Sequence, residues 1–193
     1  MINDIKLKNL TMNEKEKTSK GKFLSLILRH QPETIGLTLD ESGWAAVDDL
    51  LAKLAAHKKP LSRAELEELV STNDKQRYSF NADQTKIRAN QGHSLQTIDL
   101  GLEPLEPPAV LYHGTASRFV EAILQTGLRA QSRQHVHLSK DTATATKVGA
   151  RHGKPIILVV DAQTMQKDGF PFYCSENNVW LTEKVPAKYL KIV

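Results

Sequence analysis

The sequence predicts an α+β protein built as two lobes, and three observations carry that reading. Three helix-period segments and a strand pair occupy the first hundred residues, a proline-rich stretch follows at 101–108, and short strands then alternate with short helices to the end. The predicted division is a polar arm at 1–17, a first lobe at 18–100, a linker at 101–108 and a second lobe at 109–193.

The arm is predicted from polar, aperiodic sequence, and Met12 within it is a second possible start. The first helix is predicted from about Ser19 to His30, with Phe23/Ile27 and Leu24/Leu28 as i,i+4 pairs on its buried side and Pro32 just beyond its end. Gly43-Trp44 suggests a short strand or turn before a second helix at about Val47–Ala56, where Leu50, Leu51 and Leu54 are apolar. A third helix opens on Ser62-Arg63-Ala64-Glu65, the pattern of a capping box. "QRYSF" and "TKIRA" flank "NADQ" and read as a β-hairpin. Three helices followed by a hairpin is the winged-helix pattern. The linker is predicted from Pro104, Pro107 and Pro108, which favour an extended, semi-rigid chain. Beyond it, strands are predicted at Val110–Tyr112, Val136–Ser139, Ile156–Val160, Phe170–Tyr173, Val179–Thr182 and Tyr189–Val193, with helices at Ser117–Gln125 and Asp141–Arg151.

Composition narrows the function classes. The 193 residues carry one cysteine, Cys174, so an intramolecular disulfide framework is excluded and a reducing, cytoplasmic setting is expected. No run of about 18 apolar residues is present, so no membrane helix is expected. The net charge of +4 splits as 15 Lys+Arg against 14 Asp+Glu in residues 1–100 and 11 against 8 in the remainder. Nucleic-acid binding, if any, must then come from individually placed cations. G-x-G-x-x-G and G-x-x-x-x-G-K-[ST] are both absent, which removes the motifs of dinucleotide-binding Rossmann and P-loop proteins.

Several polar groups stand out. Arg29 and His30 sit together in the last turn of the first helix, where dipole compensation is a sufficient explanation. A helix C-terminus repels anions, so an anion site there needs further cations. Arg77 of "QRYSF" lies on the strand face opposite Tyr78 and Phe80, and a solvated surface arginine is its plain reading. "IRANQGHS" adds Arg88, Gln91 and His93, with Gly92 permitting close backbone approach to a ligand. "LYHGT" runs a strand into His113-Gly114-Thr115. In "RQHVHLS", His135 and His137 share a strand face. A metal site would need about three protein ligands; His113 offers a third, but neither a Cys cluster nor an HExxH accompanies it. His113-x-Thr115 and His137-x-Ser139 also resemble the paired signatures of 2H phosphoesterases, which cleave cyclic phosphates by acid/base histidines, although those motifs normally lie further apart.

Taken in order, "LSLILRHQPETIGLTLDESGWAAVDDLL", "TNDKQRYSF", "IRANQGHS", "LYHGT", "RQHVHLS" and "NNVWLT" resemble the RNA 2′-phosphotransferases, over about Lys20 to Val193. The resemblance implies a winged-helix lobe joined to an ADP-ribosyltransferase-like lobe. It implies removal of an internal 2′-phosphate from RNA, a tRNA-like substrate included, with NAD⁺ consumed as acceptor. The phosphate attacks the nicotinamide-ribose C1″, the ribose 2″-hydroxyl then takes the phosphorus, and nicotinamide and ADP-ribose 1″,2″-cyclic phosphate are released. On this sequence the catalytic set falls on Arg29, His30, Arg77 and Arg133. The NAD⁺ contacts fall on His113, Gly114, Thr115, His137, Ser139 and Val179. Val179 stands where many ADP-ribosyltransferases carry a glutamate, which fits a nucleophile that is already an anion and that a carboxylate would repel. Asn178 stands where glycine is expected, and asparagine is among the residues that tolerate a left-handed turn. A monomer without a metal is expected.

Two other function classes stay open from the residues: a 2H-like cyclic phosphodiesterase, which needs no NAD⁺, and a winged-helix DNA-binding regulator. The regulator would dock its third helix in a groove, and Glu65, Glu67 and Glu68 on that helix would repel DNA phosphates.

Overall fold

A computed structural model describes residues 12–193; the part of the predicted arm at 1–11 lies outside the described residues. The fold is α+β, with six α-helices and four small antiparallel sheets among the described residues. None of these helices is long and apolar enough to cross a membrane.

The rest of the predicted arm is corrected. Helix α1 (Glu14–Arg29) starts five residues before the predicted Ser19. Its N-terminus is a capping box in which Asn13 Oδ1 accepts from the Glu16 amide and Glu16 returns the bond to the Asn13 amide. Apolar periodicity does not reach this turn; polar contacts hold it instead. Lys17 pairs with Glu68 at 2.8 Å and Lys20 with Glu65 at 2.5 Å, both on the helix at Arg63–Ser71. α1 ends where Pro32 forbids continuation, and a 3-10 turn (Pro32–Ile35) follows.

Helix α2 (Val47–Ala56) has the predicted limits, and α3 (Arg63–Ser71) opens on the predicted Ser62–Glu65 capping box. The predicted hairpin forms as β2 (Tyr78–Phe80) against β3 (Lys86–Ala89), in the register Tyr78–Ala89. Gly43-Trp44 leads into β1 (Ala45–Ala46), which pairs with the other edge of β3. Leu24, Ile27, Leu28, Leu50, Leu66 and Ile87 form one core, each contributing roughly 1.5–3 kcal/mol by full burial. The acidic residues of α3 are no free face, since Glu65 and Glu68 turn onto the lysines of α1 and Glu67 onto Arg63. Groove docking is opposed by that coverage more than by charge.

The second half opens on β4 (Val110–Ala116), seven residues against the predicted three, which pairs along its whole length with β7 (Pro155–Asp161). Between them run α4 (Ser117–Thr126), β5 (Leu128–Arg129), β6 (Val136–Leu138) and α5 (Thr142–Gly149). Helix α6 (Ala162–Lys167) was not foreseen: its Asp161 cap and the buried Ala162 and Met165 make one short turn too brief for a periodic signal. The predicted strand at Phe170–Tyr173 is displaced to β8 (Tyr173–Cys174), because Phe172 is spent on the core. Strands β9 (Trp180–Thr182), β10 (Lys184–Val185) and β11 (Leu190–Ile192) complete the chain. A second core gathers Leu111, Leu138, Leu158, Met165 and Phe172. Residues 101–108 take no regular structure between the two cores, apart from an anchoring bond from the Leu105 amide to the Phe172 carbonyl at 2.8 Å.

Candidate active site

The end of α1, the residues around β2 and β3, and the strand β6 converge. Arg29 is the last residue of α1 and is only 6% exposed. Burial pushes its guanidinium down to about 10, with Tyr78 opposing and the Arg133 and Arg77 charges adding to the fall. It therefore stays charged at neutral pH. One Nη reaches the Arg77 carbonyl at 3.5 Å, while Nε is buried without a partner. His30 caps the helix; its Nδ1 lies 3.0 Å from Ser94 Oγ, and the Ser94 amide donates to the Arg29 carbonyl at 3.0 Å. Burial, then Arg133 and Arg29, push the imidazole below its ordinary value.

Arg77 is aimed from its own turn. Asn73 Oδ1 accepts from both its backbone amide and its Nη1, at 3.3 Å each, and the Arg77 carbonyl accepts from the Asn90 amide at 2.9 Å. The residue before it, Gln76, has φ +42, a left-handed backbone costly for a side chain of this kind, held by a 2.7 Å bond from Asn90 Nδ2 to its carbonyl. Arg133 comes from the exposed turn before β6, and its charge is felt by Arg29, His30 and His137. Desolvation and the Arg151 charge push its own guanidinium down. None of Arg29, Arg77 and Arg133 makes an ion pair with a carboxylate among the described residues.

The histidines lie on the other side. A bridge between Tyr112 and Ser139 draws β4 against β6, with paired bonds of 2.9 and 2.8 Å. This sets His113 Nδ1 3.2 Å from the His137 carbonyl, so Nδ1 carries the proton and Nε2 is left as an acceptor. His137 Nε2 meets Gln91 Oε1 at 2.7 Å. Burial, aided by Arg133 and Arg29, pushes His137 down to about 3, and burial lowers His113 as well, so both rings are neutral at physiological pH. Thr115, 7% exposed, lies on β4, and Ser139 bridges to it just past the end of β6.

Gly114 has a structural reason to be glycine. A Cβ there would lie 1.7 Å from the Ala145 carbonyl oxygen of α5, so the helix packs directly on the strand backbone. Gly92 is favoured by its left-handed backbone, φ +88; a Cβ there would stand in ordinary contact with Arg29 Nη1 at 3.6 Å and His137 Nε2 at 3.7 Å. Val179 precedes β9 and is held by a turn in which its amide donates to Ser175 Oγ at 3.1 Å and Asn178 adopts φ +59. The left-handed turn thus survives the replacement of glycine.

The structure also places residues that motif reading left aside. Ser94 and Asn73, which orient His30 and Arg77, gave no sequence signal beyond turn propensity. Gln134 Nε2 bonds the carbonyls of Leu95 and Ile98 at 2.8 and 2.7 Å, and Asn177 Nδ2 bonds the Lys75 carbonyl at 2.9 Å, tying the two halves across the site. Arg88 stays out of the arginine group: it pairs with Glu176 and packs 4.4 Å over the Trp44 ring. His93 is 1% exposed, has no partner at either ring nitrogen, and is pushed to about 4 by burial and then by Arg29 and His30. No three His, Cys, Asp or Glu side chains cluster as metal ligands among the described residues.

What this arrangement can do chemically is bind an anion: three arginines from three elements share a center, beside two neutral imidazoles. The comparisons agree with that chemistry. The model of the "RNA 2'-phosphotransferase, Tpt1 / KptA family" matches residues 15–184. A relative from Trichormus variabilis, described as "Probable RNA 2'-phosphotransferase", is 55% identical over 94% of this chain and 100% of its own length. Relatives with the same description from Flavobacterium johnsoniae, 54% identical over 93% of this chain and 98% of theirs, and Agrobacterium fabrum, 54% identical over 91% and 94%, are similar throughout. The chain belongs to the RNA 2′-phosphotransferase, Tpt1 / KptA family.

Proposed function

We propose that the protein removes an internal 2′-phosphate from RNA in an NAD⁺-dependent reaction, with Arg29, His30, Arg77 and Arg133 as the phosphate-handling residues. The observation that carries it is the convergence of three guanidinium groups with no carboxylate partner, one of them buried with an orphaned Nε. Such a cluster repels itself unless a multiply charged anion enters, and a phosphate monoester has the charge and the oxygens to satisfy it. In this reading residues 18–100 form a winged-helix lobe that presents the arginines, 101–108 a spacer, and 109–193 an ADP-ribosyltransferase-like lobe.

The histidine side fits NAD⁺. A nicotinamide ring on ribose is cationic, and imidazoles held neutral by burial can pack against it without charge repulsion. His113 and Thr115 would hold the ribose and amide, His137 and Ser139 the ring side, and Val179 an apolar wall free of a carboxylate. Gly114 is kept for packing of α5, leaving only its backbone for the ligand. When bound, NAD⁺ supplies the electrophilic ribose carbon and the neighbouring hydroxyl that together take the phosphate from RNA, giving nicotinamide and a cyclic phosphate of ADP-ribose. Arg29 and Arg77 would orient the incoming phosphate oxygens, so the nucleophile needs no general base. Arg133 would stabilise charge as the phosphorus becomes five-coordinate. His30, turned by Ser94, would donate a hydrogen bond to the phosphate or a proton to the leaving 2′-oxygen.

The test uses an RNA oligonucleotide with one internal 2′-phosphate, incubated with and without NAD⁺. Phosphate loss coupled one-to-one with nicotinamide release is expected. Loss without NAD⁺, or none with it, overturns the proposal; the first result would mean direct hydrolysis of the monoester.

A further inference from the structure

The cations of this protein divide into two groups. Lys17, Lys20, Lys53, Arg63, Lys86, Arg88 and Lys188 each have a carboxylate partner. Among the many with none within the described residues are Lys22, Lys75, Arg77, Lys147 and Arg151. Four of these five gather at one place: burial, and then the nearby Arg151, Arg77 and Lys147 charges, push the Lys75 ammonium down against the opposing pull of Asp74. A cleft of about 600 Å³ opens here, walled by one face of α1, the turn after α3, Arg77 and Arg151. Its volume suits one or two nucleotides.

The cleft is joined to the proposed phosphate center and separate from the histidines. Arg77 lines it, and Arg151 at its rim also acts on Arg133. Neither His113 nor His137 lines it. Of its two acidic residues, Glu14 is engaged with Lys17 at 3.7 Å and Asp74 lies beside Lys75. Lys22 and Arg151 are exposed and come from opposite halves of the chain.

We infer that this cleft is a subsite for the RNA strand next to the 2′-phosphorylated nucleotide, with Lys22 and Arg151 holding a backbone phosphodiester there. The inference rests on the RNA reading above and adds a second anion position to it. A phosphodiester carries a single charge and is satisfied by one or two cations at the surface, whereas the three-arginine center, with Arg29 buried at its heart, suits the monoester. The subsite gives the enzyme a preference for a phosphate embedded in a strand over the same group on a free nucleoside.

The experiment measures binding without NAD⁺, by fluorescence anisotropy of a short single-stranded RNA with an internal 2′-phosphate and by its displacement with adenosine 2′-monophosphate. Arg151→Ala and Lys22→Ala are each expected to weaken the oligonucleotide about tenfold and to flatten the salt dependence by a slope of about 0.7, the value for one lost contact to a single strand. The loss for adenosine 2′-monophosphate should be several-fold smaller. Arg151→Lys should keep most of the salt slope. Equal losses on both ligands would place Arg151 at the monoester and overturn the subsite, as would unchanged binding of the oligonucleotide. Because binding is read without turnover, a wild-type protein that binds the RNA but never releases nicotinamide would sink the proposed function while leaving the subsite to be judged by these variants.

Discussion

Arg29 and His137 approach each other across Gly92, both under heavy burial, and the same desolvation leaves them in different charge states. Arg29 falls to about 10 and remains a cation; His137 falls to about 3 and is neutral. The difference lies in the starting values, since a guanidinium begins far enough above neutrality to survive the loss and an imidazole does not. One low-dielectric pocket can thus present a charged wall and an uncharged wall a few ångströms apart. The charged wall suits a phosphate and the uncharged one a cationic nicotinamide, so the contrast is the physical content of the proposed function.

The sharpest way to break the comparison is to neutralise the charged wall. Arg29→Met keeps volume and removes the buried charge. Turnover of a 2′-phosphorylated RNA should fall at least about 1000-fold, while stability to urea should rise by about 1–3 kcal/mol because an unpaired buried ion is gone. A variant that is both active and less stable would show that the charge is compensated. Arg133→Ala, at the exposed side, should cost about 100-fold in turnover. It should also slow the second step more than the first, so that RNA joined through its 2′-phosphate to ADP-ribose accumulates on a gel. Wild-type turnover in this variant would refute its role.

A smaller effect concerns a buried imidazole behind the charged wall. His93 is neutral when folded, with its value lowered to about 4, and takes up a proton near 6.5 when unfolded. The unfolded state then binds more protons between those values, so stability is full above pH 6.5 and declines as pH falls toward 4. The decline from this group is at most about 3 kcal/mol. His93→Gln should flatten the urea midpoint against pH over that window; an unchanged slope would assign it to other groups. The smallest effect is expected at the neutral wall. Gln91→Ala removes the partner of His137 Nε2, and the Michaelis constant for NAD⁺ should rise about tenfold with little change in the maximal rate. An effect on the rate alone would move Gln91 to the phosphate side.

Much of this fold is legible in the sequence. α2, the α3 capping box and the β2–β3 hairpin follow from period and turn chemistry, because their signals are local. The first turns of α1 were hidden, since polar bonds to α3, 45 or more residues away in sequence, stabilise them in place of an apolar face. α6 was hidden by its length. At the site, the residue types and the order of the motifs were readable. The aiming of Arg77 by Asn73 and the turning of His30 by Ser94 were not.

The sequence by itself determined the α+β class, the first core and, through six ordered motifs, the family. Tertiary structure alone decided which charges meet. Arg29, read singly, is an ordinary dipole-compensating residue; only the fold sets it beside Arg77 and Arg133, drains water from it and leaves it unpaired. It likewise decided that His137 is neutral and that Arg88 is diverted to Glu176. The physical reason is range: propensity and capping act within a few residues, whereas desolvation and Coulomb interaction depend on distances in space that the order of residues does not state.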